Sequence, residues 1–137
     1  MPLLYCRSDS PDTAVDTPNL KLPDYYINRE LSALELNRRV LHQAKDRSIP
    51  LLERLKFLCI VSTNLDEFFE IRVSGLKQRH ELGLAPQGPD LATASDVLAE
   101  ISRRAHALVD EQYRLLNDEI IPSLDAQGIR FIRRTRW

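Results

Sequence analysis

The side chains with most chemical promise lie in VSTNLDEFFE, residues 61–70, where Asn64 is followed by Asp66 and Glu67. An asparagine amide carries one carbonyl acceptor and two N–H donors, so it can face a planar heterocycle such as adenine that shows a donor beside an acceptor. The same residues also fit a helix start. Asn64 is a good N-cap, Glu67 three positions on completes a capping box, and both carboxylates favour the positive end of a helix dipole. The readings are compatible, because a helix broken here exposes side-chain amides and backbone groups at a corner.

Other chemistries find little support. His42, His80 and His106 fall on separate segments, and none has a second His or Cys at metal-ligand spacing. RHELG lacks the second histidine of a zinc helix, and four scattered glycines cannot build a phosphate-cradling loop. No serine has an identifiable base. The sequence therefore nominates no catalytic residue and no metal ligand. Arg130, Arg133, Arg134 and Arg136 near the C-terminus can meet phosphate or RNA, but without an aromatic platform they read better as a solvated face.

The elements that must position Asn64 read as helices. In ELSALELNRRVLHQA, Ser32 and Glu35 have capping-box spacing, Leu31 and Leu36 can form a staple, and Ala33, Leu36, Val40 and Ala44 make a stripe widened by Leu34 and Leu41. This helix is expected to end near Asp46. Pro50 suits the first turn of a second helix, whose inner face is Leu51, Leu55, Leu58 and Ser62, with Leu52 and Cys59 beside it. A third segment starts at Asn64 and carries Leu65, Phe68, Phe69, Val73 and Leu76, before a loop at Gly83. The longest segment, from Thr93, places Leu98, Ile101, Ala105, Leu108 and Leu115 three and four apart, interrupted by Gln112. Pro122 should end or kink it, and Gly128 is a stop signal.

Three stretches complete the organisation. Residues 1–24, with Pro2, Pro11, Pro18 and Pro23 among polar residues, read as a flexible leader. Residues 25–128 form the helical domain. Residues 129–137, GIRFIRRTRW without its leading glycine, alternate apolar and basic like a short strand and read as the opening of a following domain. The fold class is all-α, an antiparallel bundle of three to four helices with that strand-like segment at its end.

Totals agree with a soluble domain. The chain has 137 residues, 43% apolar and 28% charged, with a net charge of −1 that gives no electrostatic case for nucleic acid or acidic membranes. Cys6 and Cys59 form no disulfide framework, with Cys59 on an apolar helical stripe, which suits a reducing cytoplasm. No apolar run approaches a membrane span, and MPLLYC is too short for a signal-peptide core.

Residues 26–79, YINRELSALELNRRVLHQAKDRSIPLLERLKFLCIVSTNLDEFFEIRVSGLKQR, closely resemble the start of the long bacterial polyphosphate kinases, the phosphohistidine-type family. The resemblance implies a helical N-terminal domain followed by a head domain and two C-terminal domains similar to phospholipase D. It implies reversible transfer of the terminal phosphate of ATP to polyphosphate, with ATP/ADP and Mg²⁺ as cofactors, the metal held by domains outside this sequence. The phosphate-accepting histidine also lies in those domains, so this chain alone should be inactive. Asn64, in NLDEF, matches the family's adenine contact. The resemblance further implies partners in the head and C-terminal domains of the same polypeptide, polyphosphate bound through them, a homo-oligomer, no nucleic acid, and a cytoplasmic protein or one peripheral at the membrane. The family's usual aromatics at two positions of the first helix are Ala33 and Leu36 here. A different reading, a stand-alone helical interaction module, rests on the long amphipathic segment from Thr93.

Overall fold

The computed structural model describes residues 18–86 and 88–132, and the regular structure there is entirely helical. Most of the expected leader lies outside those residues, as do Cys6, Arg133, Arg134, Arg136 and Trp137. Residues 18–24 include a turn that runs into a short 3₁₀ segment, Pro23–Tyr25, and the Tyr26 hydroxyl donates to the Leu20 carbonyl at 2.6 Å.

Helix α1, Arg29–Lys45, begins a turn earlier than the Ser32–Glu35 box suggested. Its cap is Asn28, whose Oδ1 accepts from the backbone N–H groups of Glu30 at 3.0 Å and Leu31 at 3.2 Å. An N-cap satisfies the donors that the first turn leaves orphaned, and Asn28 does so while its Nδ2 donates to Asp90 Oδ2 at 2.9 Å across the fold. Ser32 thus lies within the helix and is exposed, Glu35 pairs with Arg38, and the Leu31–Leu36 staple gives way because Leu36 faces outward. The buried stripe is turned by one residue from the apolar reading: Leu34, Asn37, Leu41 and Ala44. Asn37 displaces the expected Leu36 because it is the polar residue in core register.

Asp46 closes α1, accepting at Oδ1 from the Ser48 N–H at 2.9 Å and hydroxyl at 2.7 Å, an Asx-type turn that reverses the chain. Pro50 is the N-cap of α2, Leu51–Glu67, just before the first turn in which it was expected. Helix α2 buries Arg54, Leu58, Val61 and Leu65, whereas Ser62, Leu52 and Cys59 are exposed. The helix does not break at Asn64. The N–H of Phe68 donates to the carbonyls of Asn64 and Leu65, and the chain continues through a π-helical turn, Phe68–Val73, into α3, Ser74–Glu81. Asn64 is therefore a helical residue and not a cap, since the continuous ladder already satisfies the N–H groups that a cap would bind.

The second long rod repeats the device. Thr93 caps α4, Ala94–Leu115, accepting from the Asp96 N–H at 3.2 Å while its hydroxyl donates to Asp96 Oδ2 at 2.6 Å. A π-helical turn, Leu116–Ile120, leads into α5, Ile121–Ala126, which ends at Gly128 with φ 78°. Pro122 does not stop the rod, because it sits in the first turn after the π turn, where its missing N–H is tolerated.

Both rods betray their π turns in the spacing of buried residues. In the first these run Arg54, Leu58, Val61, Leu65, Phe68 and then Val73; in the second Ile101, Ala105, Leu108, Gln112, Leu115 and then Ile120. Steps of three and four give way once to a step of five, the single extra residue that a π turn inserts. Phe69 consequently faces solvent although it was expected inside.

The short link between Lys45 and Leu51 sets α1 and α2 antiparallel, whereas α1 and α4 run parallel, with Asn28 meeting Asp90 at their starts and Lys45 meeting Glu111 towards their ends. Helix α1 packs on α2 and α4, α3 on α4, and the second π turn on α2. Leu41, Val61, Ile101 and Ile120 are fully enclosed at the centre, each stabilising by roughly 1.5–3 kcal/mol relative to exposure. Ile129–Ile132, the described part of the strand-like segment, form no strand; a strand needs a ladder partner, and the described residues offer none.

Candidate functional site

Asn64 projects from the last turn of α2 towards α1. Its Nδ2 donates to Asn37 Oδ1 at 2.9 Å, joining two helices through an amide pair. Asn37 is 4% exposed and Asn64 half-buried. The pair forms part of the wall of a groove of about 1050 Å³, between the N-terminal half of α1, the first π turn and the loop ahead of α4. Asn37 Nδ2 and Asn64 Oδ1 have no protein partner among the described residues, and no side-chain polar atom there is sealed away unsatisfied. The pair therefore presents one donor and one acceptor towards the groove. Rotating both amides by half a turn exchanges the two roles and leaves the same complement.

The rest of the wall is mixed. Ile27, Phe68 and Ile71 supply apolar surface, and Phe68 meets Phe69 edge to face with ring centroids 5.5 Å apart. Glu30, its side chain 12% exposed, accepts from Arg29 at 3.0 Å and from Arg72 at 3.2 Å, tying the start of α1 to the first π turn. Arg79 lines the far end and donates to the Ala85 carbonyl at 2.6 Å. Ala33 and Leu36 also border this groove, with Leu36 53% exposed. Both therefore help to shape the groove wall, Ala33 packing also against the core.

A second polar cluster lies at the opposite end of α2. Arg54, 5% exposed, donates through Nε to the Ala44 carbonyl at 2.7 Å, capping the end of α1, and through a terminal nitrogen to Glu119 Oε1. Arg47 donates to the other Glu119 oxygen at 3.0 Å. Hydrogen bonds from Arg47 and then Arg54 hold the Glu119 carboxyl at about 2, well below its ordinary 4.5. Lys45 pairs with Glu111, and Gln112 Nε2 donates to the Leu58 carbonyl at 3.0 Å and Ser62 Oγ at 2.7 Å.

The structure thus brings Asn64 to a groove on an unbroken helix, and its side chain alone is what it offers there. Asp66 and Glu67 are exposed, and only Glu67 borders the groove. Asn37 escaped sequence reasoning. Its signal was an asparagine three residues after Leu34 and four before Leu41, on a stripe otherwise apolar. Among the described residues no three His, Cys, Asp or Glu side chains gather as a metal site would need. None of the described helices is long and apolar enough to cross a membrane.

Fold and groove together define a helical domain with an interhelical amide pair in one groove wall. The family model of the polyphosphate kinase N-terminal domain matches residues 26–132, and the chain belongs to that family. It is 53% identical to a polyphosphate kinase of Pseudomonas syringae pathovar tomato over 120 residues, which is 88% of this chain and 16% of the relative. A polyphosphate kinase of Pseudomonas aeruginosa is 54% identical over 112 residues, 82% of this chain and 16% of the relative. One from Neisseria meningitidis serogroup B is 48% identical over 109 residues, 80% of this chain and again 16% of the relative. The chain therefore spans about one-sixth of the length of these relatives. No solved structure matches it significantly.

Proposed function

We propose that this domain serves a polyphosphate kinase, an enzyme that moves the terminal phosphate of ATP reversibly to polyphosphate through a phosphohistidine, and that it closes the adenine side of the ATP pocket. What carries the reading is the Asn64 amide, half-buried in a groove wall and holding an unpaired carbonyl oxygen towards the opening. The phosphate-accepting histidine, the Mg²⁺ ligands and the polyphosphate track belong to head and C-terminal domains of the same polypeptide. Residues 25–128 act as the helical domain, residues 1–24 as a leader, and residues 129–137 as the passage to the head domain. The enzyme works in the cytoplasm as a homo-oligomer. The family membership and the length of the relatives favour this over a stand-alone interaction module.

The test uses the native-length protein, with Asn64→Ala compared against wild type for polyphosphate synthesis from ATP. One lost base contact of about 1.4 kcal/mol raises the KM for ATP about tenfold and leaves kcat near wild type. An unchanged KM would remove Asn64 from the pocket. Polyphosphate made by the isolated 137-residue chain would overturn the supporting role.

A further inference from the structure

We propose that Asn37 is a second base-reading residue, and that the Asn37–Asn64 pair, rather than Asn64 alone, sets the preference for adenine; this rests on the adenine reading above. Asn37 is 4% exposed on a helix face otherwise given to apolar packing, yet its amide reaches the groove wall. A core asparagine is costly unless its groups are paired, and only one of its groups meets protein, through the 2.9 Å bond to Asn64. Nothing in that bond requires an amide on α1 if the task is packing alone.

The chemistry follows from the complement. A single asparagine can hold the adjacent donor and acceptor of adenine, N6–H and N7, with its own two ends. Here each amide gives one end to its partner and keeps the other, so the reader is spread over two helices. N6–H of the base meets the Asn64 carbonyl, and a ring nitrogen accepts from Asn37 Nδ2. Making Asn37 a carboxylate replaces its donor with an acceptor beside the Asn64 carbonyl, so that two acceptors face the groove. That suits an edge with two donors, as guanine has in N1–H and N2–H, and opposes adenine.

The experiment measures kcat/KM for ATP and GTP in the native-length enzyme with Asn37→Asp, alongside Asn64→Ala. The expected result is a GTP-to-ATP preference raised at least about tenfold in Asn37→Asp, which corresponds to one exchanged hydrogen bond. An unchanged ratio in folded Asn37→Asp overturns the proposal. Because a carboxylate at this depth can unfold the domain, Asn37→Leu supplies a second measurement without a buried charge. Placed on the Asn64→Ala background, it raises the ATP KM several-fold further if Asn37 touches the base, and adds nothing if Asn37 merely holds Asn64. The second result also overturns the proposal. If Asn64→Ala itself leaves the ATP KM unchanged, the adenine reading fails first; if Asn64→Ala raises KM and the Asn37 variants do not, only the Asn37 assignment fails.

Discussion

The two ends of α2 solve the same problem in opposite ways. At each, a buried polar side chain meets a polar partner across a helix interface: Arg54 of α2 at 5% exposure, and Asn37 of α1, at 4%, against Asn64. At the Arg54 end the groups close on one another. Its guanidinium meets a helix-terminal carbonyl and Glu119, and Glu119's second oxygen is taken by Arg47. At the Asn37 end the pairing stops halfway, with a donor and an acceptor left towards a groove. A closed cluster holds helices together, whereas a half-closed pair of equal burial points outward. Burial of polarity is thus no guide to its purpose; what the buried groups meet is a better one.

The widest separation between the two ends should appear in stability. Arg54→Leu strips Glu119 of its buried partner and leaves the Ala44 carbonyl without its cap, and is expected to cost about 3 kcal/mol in urea unfolding of the chain. A loss below about 1 kcal/mol would mean that Arg54 merely fills space. Glu119→Gln is milder, about 1.5 kcal/mol near neutral pH, since Gln keeps the shape and loses the charge assistance. Its signature is in acid. Because Glu119 titrates at about 2 when folded and at 4.5 otherwise, the unfolded chain takes up the proton first. The stabilisation is complete above about 4.5 and disappears as pH falls towards 2, so wild type and Glu119→Gln should converge over that interval. Glu100, also held at about 2 by Arg103 and Arg104, leaves the variant a residual acid slope. A gap that stays constant down to that pH would place the Glu119 contribution in shape and not in charge. Arg47→Ala, at a side chain 79% exposed, should be milder than either in the same unfolding assay, because solvent screens the pair.

Apolar periodicity carried most of the bundle. Leu58, Leu65, Phe68, Val73, Ile101, Ala105, Leu108 and Leu115 were all read as inward, and all are buried. Polar residues in core register were not: Asn37, Arg54 and Gln112 each complete a stripe that an apolar count steps over. The π turns hid for a related reason. An extra residue moves the buried position from three or four ahead to five, and local pattern alone cannot choose between Phe68 followed by Val73 and Phe69 followed by Val73. Capping boxes misled twice, at Ser32–Glu35 and Asn64–Glu67. Spacing of a box is local, whereas the choice between capping and continuing is made by packing along the whole rod. The groove itself was legible only at Asn64, since its other wall belongs to helix α1 and the loop near Asp90, distant in sequence.

The smallest expected effect is the one that most sharpens the contrast. Asn37→Leu should leave the unfolding free energy within ~0.5 kcal/mol of wild type, although Asn37 is as buried as Arg54. Leucine fits the apolar stripe of Leu34, Leu41 and Ala44, so transfer of its side chain gains what the lost amide bond gave up. The Asn64 amide left behind is half-buried beside an open groove, and water can take the place of Asn37 Oδ1. Urea unfolding of this variant beside Arg54→Leu decides the point. A cost above about 2 kcal/mol would make the amide pair a clasp of the same kind as the Arg54 cluster. A neutral result leaves a polar residue in the core that the fold does not require, which agrees with the role proposed for it at the groove.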